Sequence, residues 1–388
     1  MMRRRAVLKL ALGLSLTLVT SPAYAEGAPA RDTLPTTTTD LVTRLRGDVE
    51  GRRFIGDIGF GVRLSNGTLI NFFGDTVVTP TGNPAYPGAL TQQAYVMRNS
   101  ATVILPTGRI RSALTNARLL AKRSLVDVPL ADQLPGGQNF YWPLSAVVTK
   151  DPATGNDLVL VFLAQMYDRN LKQLGSSDPT WDFAQVSSRL ATYAVAADGS
   201  LKLVSLTRTP MAEVAPGAVG WGAGAFATSD YLFVFGSRKP PDPYVFGSDY
   251  YLARVPLKSR TTASAWRFWT GSGWSTDKTR AAVVIPSSVG VESTIAVRQD
   301  ARSKGFTFVF KKDGFIGTTI RRERATSLTA PWRLDTSPIG DVVKFNSTDF
   351  SYSAHEVPLG GGRIGIVISH GNEAANTPSE LTGLFSVR

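Results

Sequence analysis

The chain has 388 residues, with 36 glycines, 23 prolines, 43% hydrophobic residues and no cysteine. That is room for two average domains or one large all-β architecture, and it excludes a disulfide framework, thiol catalysis and cysteine-held metal clusters. Lys and Arg exceed Asp and Glu by 42 to 30, and with only two histidines, His355 and His370, a His-rich metal centre or an HExxH protease is excluded as well.

In chain order, residues 1–25 read as an export signal. Arg3, Arg4 and Arg5 form a basic start, residues 6–19 are apolar apart from Lys9, and Ala23-Tyr24-Ala25 is a small-x-small cleavage site. Arg4-Arg5 with the apolar run also fits a twin-arginine route, so both that route and the ordinary one stay open. Either implies a periplasmic or extracellular protein. The segment carries four bases and no acids, so the mature chain keeps 38 bases against 30 acids, net +8. Such a surplus suits contact with anionic envelope polymers. Nucleic acid is not expected as a partner, because clusters such as Arg321-Arg322-Glu323-Arg324 are short and interrupted. No apolar run of membrane-spanning length follows the signal, so no integral membrane segment is expected in the mature form.

Residues 26–39 are rich in Pro, Ala and Thr and read as a flexible leader. Beyond them one pattern recurs five times, at 69–74, 158–163, 231–236, 306–311 and 363–368. Each copy is short, β-branched or aromatic, and apolar on both faces, as suits a strand covered from both sides. A further strand and a turn precede each copy, at 57–64, 140–149, 221–228, 292–298 and 352–359. A third strand is expected after most copies, at 94–98, 189–195, 250–255, 316–322 and 384–388. The last interval is short, which predicts a final sheet completed by a strand near the N-terminus at 40–46. Residues 112–122 are the one stretch that suggests a surface helix. Repeated two-faced sheets without intervening helices predict an all-β fold, a single-domain five-bladed β-propeller over residues 40–388. Two sandwich domains are the rival.

Innermost propeller strands converge on an axis, and their acidic residues are the first candidates for chemistry. If Ser65-Asn66-Gly67 is a three-residue loop with Gly67 left-handed, paired residue numbers sum to 132 and Asp57 lies opposite Asp75. A two-residue turn would instead put the two on opposite faces. Two opposed, partly buried carboxyls cannot both ionise cheaply, which suggests one held protonated as a general acid and the other ionised as base or nucleophile. The bland alternative is a pair of turn caps. Glu292 is the acid of the fourth inner strand, either catalytic or simply paired with Arg298, itself a candidate substrate contact. Tyr141, Trp142 and Trp221 are candidate sugar-stacking platforms or else packing aromatics. His355 is a candidate substrate contact or a hydrogen-bonded core histidine.

These stretches also resemble a known family. Residues 57–59 and 69–76, then 251–256, 266–274, 291–298, 325–327 and 330–332, resemble in that order an exported five-bladed propeller family that includes bacterial endo-D-arabinanases. The resemblance implies an arabinanase-like glycoside hydrolase acting on a furanose-containing polysaccharide, with Asp57 and Asp75 at catalytic positions and Glu292 facing the central funnel. It also implies a structural calcium on the axis near a histidine, a place His355 would fill. Hydrolysis itself requires no cofactor, only positioned carboxyls and water. A non-catalytic glycan-binding propeller of the envelope, and a protein-interaction platform, are the alternatives.

Overall fold

The computed structural model describes residues 34–387 except 48, 81–93, 169–182, 197, 211–217, 242–246, 293, 315–316, 343–348 and 373–376. The expected export signal, most of the expected leader, the 175–182 loop and much of the 239–249 loop lie outside the described residues.

The fold is mostly β, built from antiparallel sheets that follow one another along the chain. Strands β1 (Arg52–Gly56), β2 (Phe60–Arg63), β3 (Leu69–Phe73), β4 (Thr76–Pro80), β5 (Tyr95–Met97), β6 (Ser100–Ile104) and β7 (Ile110–Ser112) make two sheets. The first is ordered β2-β3-β6-β7, and a smaller one, β1-β4-β5, continues it at one end. Strands β8 (Gln138–Lys150), β9 (Asp157–Asp168), β10 (Phe183–Val195) and β11 (Leu201–Arg208) form the second sheet. The third is carried by β12 (Gly220–Ala227), β13 (Tyr231–Arg238) and β14 (Asp249–Pro256), with short additions β15 (Arg267–Trp269), β16 (Trp274–Ser275) and β17 (Val283–Ile285). In the fourth, β18 (Arg298–Gln299), β19 (Phe306–Lys311) and β20 (Thr319–Ala325) are joined by β21 (Arg333–Leu334) and β22 (Gly340–Asp341). The last is β23 (Asp349–Pro358), β24 (Ile364–Asn372) and β25 (Thr377–Val387). All five recurring apolar segments are therefore strands: β3, β9, β13, β19 and β24.

Their two-faced apolar character has a direct cause in packing, because each sheet is covered by the next. Phe72 and Val103 of the first sheet share a cluster with Val159 and Tyr193 of the second. Phe162 and Leu190 of the second meet Trp221 and Val234 of the third. Phe235 and Leu252 of the third meet Phe308 and Phe310 of the fourth. Val309 and Ile320 of the fourth meet Ile366 and Ile368 of the last. Val357 and Val367 of the last sheet then share a cluster with Leu69 and Phe73 of the first. Each such large side chain contributes about 1.5–3 kcal/mol by leaving water.

Four expectations need correction. Residues 40–46 are no strand: Thr38–Leu45 is helix α1, and the last sheet has three strands of its own. The Thr37 hydroxyl caps α1 by accepting from the Asp40 amide at 3.1 Å, and Arg44 pairs with Asp40 one turn earlier. Helical spacing then buries Leu41, Val42 and Leu45 across the seam between first and last sheets. The described residues of 292–298 do not form an inner strand either: among them only Arg298 pairs, together with Gln299, in β18. Residues 95–97 join β4 in the small sheet, and β6 is the strand that completes the first sheet. The suspected helix at 112–122 shrinks to α2, Asn116–Leu120.

Candidate active site

The hairpin between β2 and β3 has the three-residue loop. Leu64 N–H bonds Thr68 O at 2.9 Å, Gly67 N–H bonds Leu64 O at 3.0 Å, and Gly67 adopts φ 88°. Phe60 then faces Phe72, and Gly56 faces Thr76, so the register on both sides of the gap obeys the sum of 132. Between these pairs the ladder is irregular. Asp57 N–H bonds Asp75 O at 3.2 Å, but it is Gly74 N–H that bonds Asp57 O, at 2.9 Å. Ile58, a β-branched residue, is forced to φ 50°, and its N–H leaves the ladder for Ser369 Oγ of the last sheet at 2.7 Å. Strain of this kind costs about 1–3 kcal/mol and persists where surrounding structure imposes it.

The two carboxyls sit side by side but are held differently. Asp75 has a donor on each oxygen: Trp142 Nε1–H to Oδ1 and Arg98 Nη1–H to Oδ2, both at 2.7 Å. Arg98 is itself steadied over the Phe140 ring at 4.5 Å. Asp57 accepts one side-chain hydrogen bond, from the Tyr352 hydroxyl to Oδ2 at 2.5 Å, while its buried Oδ1 has no partner among the described residues. Burial, followed by the charge of Asp75, pushes the Asp57 pKa up to about 8, against a smaller lowering by Tyr352. Burial also raises the Asp75 pKa, Arg98 and Trp142 opposing this only in part. The pair is therefore asymmetric at neutral pH: Asp57 keeps the proton, and Asp75 is the oxygen set with cationic and N–H support.

Gly74 makes this closeness sterically feasible. A Cβ there would lie 2.6 Å from Asp57 Oδ1. Irregularities recur at matching points of the other inner strands. Bulges interrupt β8 at 143–145 just after Trp142, β12 at 221–224, and β23 at 352–355 just after Tyr352. Bulges of this sort re-aim side chains and expose backbone groups. Here those groups link neighbouring sheets: Ser145 Oγ–H to Gly222 O at 2.7 Å, Ile295 N–H to Ala223 O at 2.7 Å, and Thr294 to His355 at 2.8 Å.

The remaining candidates separate into distinct environments. Glu292 is half-buried against Gly314, whose missing Cβ leaves room for the carboxyl. Burial raises its pKa, and Lys239 and Lys311 oppose this; no hydrogen bond joins it to Asp57 or Asp75. The buried Lys311 ammonium donates to Gly314 O and to Ser351 O. Arg298 does not pair with Glu292. It forks onto Glu356 at 2.6 and 3.1 Å, with Arg322 at 3.7 Å from the same carboxylate. Trp221 is 1% exposed, packed against Phe268 and Trp266, and Tyr141 is fully buried. Neither offers a sugar any surface, because side chains of a two-faced sheet point between sheets. Trp142 alone of the three aromatics reaches the carboxyl pair, through its indole N–H.

His355 is a core histidine. A carbonyl only accepts, so Nδ1–H donates to Gly59 O at 3.1 Å. Burial pushes its pKa down to about 4, and the neutral ring then accepts the Thr294 hydroxyl at Nε2. With both nitrogens engaged, the imidazole has no lone pair for a calcium ion. Nor do the described residues contain a cluster of three His, Asp or Glu that would hold a metal. His355, held in this way, does not fit that ion.

Tyr352, Arg98 and Ser369 escaped the sequence reading. Tyr352 opens a recognised strand and Arg98 closes another, but nothing local to either marks a partner 295 or 23 residues away.

Comparison with known proteins bears on the fold and the family. The chain is similar to a presumed hydrolase from Bacteroides ovatus, at 15% identity and TM-score 0.61, over 89% of each chain. It is less similar to the α-L-arabinanase of Cellvibrio cellulosa, at 12% identity and TM-score 0.47, over 85% of this chain and 91% of that one. An endo-arabinase from Bacteroides thetaiotaomicron gives 10% identity and TM-score 0.41, over 86% of this chain and 95% of that one. At such identities the first likeness speaks to fold alone. No curated protein matches by sequence. No helix among the described residues is long and apolar enough to cross a membrane. A family profile, described as a domain of unknown function, DUF5005, matches residues 39–356, which takes in both carboxyls and every sheet up to the start of the last, and the chain belongs to that family.

Proposed function

We propose that this protein is an exported glycoside hydrolase acting on a furanose-containing, arabinan-like polysaccharide, with Asp57 and Asp75 as its working carboxyls. The observation that carries the reading is their asymmetry: one buried carboxyl retaining its proton beside a second held by Arg98 and Trp142. Environments that push two adjacent acids apart are what acid–base division of labour requires. In this reading Asp57 gives its proton to the glycosidic oxygen as the C–O bond breaks and the bonding pair stays with that oxygen. Asp75 either takes a proton from the water that adds to the anomeric carbon, or attacks that carbon itself and is released by water. Glu292, in its separate Lys-flanked niche, would contact sugar hydroxyls at a distance from the bond cleaved.

The architecture proposed with it is a closed five-bladed propeller, the small β1-β4-β5 sheet being an extension of the first blade. Support comes from the cyclic order of the inter-sheet clusters and of the hydrogen bonds from Ser145 through Ile295 and Thr294 to His355 and Gly59. The furanose preference rests on the sequence resemblance alone.

Asp75→Asn tests the reading. The variant should lose turnover by about 10³-fold or more while binding polysaccharide as the native protein does. Equal binding with no turnover in either form would instead mark a glycan-binding protein.

A further inference from the structure

We propose that Tyr352 is a positioning residue for this site: its hydroxyl, delivered from the last sheet, fixes the Asp57 carboxyl and sets how readily that carboxyl gives up its proton. The inference rests on the acid role given to Asp57 above, and adds the group that controls it.

Geometry is the ground for it. Tyr352 Oη–H donates to Asp57 Oδ2 at 2.5 Å, across 295 residues of chain, and it is the side-chain donor to that carboxyl among the described residues. Asp57 Oδ1 lies buried against Gly74 without a hydrogen-bond partner among the described residues, so Tyr352 is the side chain that steadies a charge on Asp57, beside the backbone amides of Asp75 and of Asp57 itself. The phenol is itself constrained. Its ring stacks on Phe350 with centroids 6.1 Å apart and planes 10° from parallel. The β23 bulge starts at this residue, and the next, Ser353, takes φ 53°. Without that extra residue the strand would keep strict alternation; the bulge is where backbone regularity gives way and the ring is aimed at the first sheet. Ser369 of the adjoining strand anchors the other side by accepting Ile58 N–H. Two bonds from the last sheet thus clamp the segment bearing Asp57.

Among the described residues, the charged and titratable groups around this point begin with Lys311 of β19, whose ammonium donates to Ser351 O next to Tyr352. Asp75 approaches from the end of β3, with Arg98 behind it. His355 of β23 contacts the neighbouring Gly59 and is held neutral. His370 of β24 follows Ser369 and pairs across from Ser351. Trp142 from the second sheet is uncharged and engaged with Asp75. Of these, Asp75 raises the proton affinity of Asp57 and Tyr352 lowers it, so the phenol opposes burial and repulsion together.

The test is carboxyl and phenol titration by ¹³C NMR on the whole protein, wild type and Tyr352→Phe, with no substrate present. In the wild type the Asp57 carboxyl carbon should titrate near pH 8, and the Tyr352 Cζ resonance should move with the same midpoint. In Tyr352→Phe the Asp57 midpoint should rise, and on a cleaved polysaccharide kcat should fall about 10–100-fold with its alkaline limb displaced upward and KM little changed. An unchanged Asp57 midpoint in the variant would overturn the proposal. So would a wild-type Tyr352 resonance that ignores the Asp57 transition, a result that stands even if the variant does not fold. Absence of turnover on every polysaccharide leaves the titrations intact and tells against the hydrolase reading instead.

Discussion

Asp57 costs the fold stability at the pH where it would work. Its folded pKa of about 8 stands above the 3.8 of an unperturbed aspartate, so between these values the folded chain holds a proton that the unfolded chain has released. The stability contributed by the neutral carboxyl is fully present below about pH 4 and is lost as pH rises through about 8. Asp57→Asn removes this titration. Thermal melts of the variant should show a smaller decline between pH 5 and 8.5 than the wild type, Glu323, pushed up to about 7 by burial, keeping part of it, and at pH 9 the variant should be more stable by about 1–3 kcal/mol. A wild-type melting curve with no decline over that window would refute the protonation assignment. The aspartates were legible in the sequence because one of the two loop lengths it allowed, the three-residue one, sets them opposite each other. Their partners were not, since Tyr352, Arg98 and Trp142 arrive from other strands and sheets, and no local pattern encodes such meetings. The same blindness made Trp221 and Tyr141 look available: a sequence shows an aromatic beside glycine or proline, not which neighbouring sheet covers it.

At the scale of elements, the site exists because regular pairing fails where it is needed. Gly74→Ala would place a Cβ 2.6 Å from Asp57 Oδ1, and the carboxyl or the strand must move. Loss of most turnover and about 1–3 kcal/mol of stability is expected, read from activity and urea midpoints. Arg298→Ala addresses a different element. It leaves the Glu356 carboxylate, 3% exposed, with only the more distant Arg322, so stability should fall by about 2–4 kcal/mol. KM for any cleaved glycan should not change; a raised KM would restore Arg298 to the substrate. Strand cores were readable because β-branched and aromatic runs on both faces have few other homes. Bulges and the irregular 291–297 stretch were not, as an inserted residue changes the pairing without changing composition. Helix α1 was misread as a strand although Thr37, Asp40 and Arg44 supply its cap and its i,i+4 pair; the short last interval, which called for a closing strand, outweighed them.

Over the whole molecule, every sheet finds its cover in the next, and α1 seals the last against the first. A chain without cysteine thereby gains stability from inter-sheet burial, and both sides of the candidate site belong to sheets far apart in sequence. In the proposed closed propeller, Tyr352 and Ser369 reach the Asp57 segment because the last sheet sits beside the first. The measurement that bears most directly on the central claim is reducing-end release by the mature protein from arabinan, arabinogalactan and fructan across pH 5–9.5. New reducing ends should appear with at least one furanose polymer, and the rate should fall as pH rises past about 8, where Asp57 loses its proton. No release from any of them at high protein concentration, or a rate that keeps climbing above pH 9, would contradict the account.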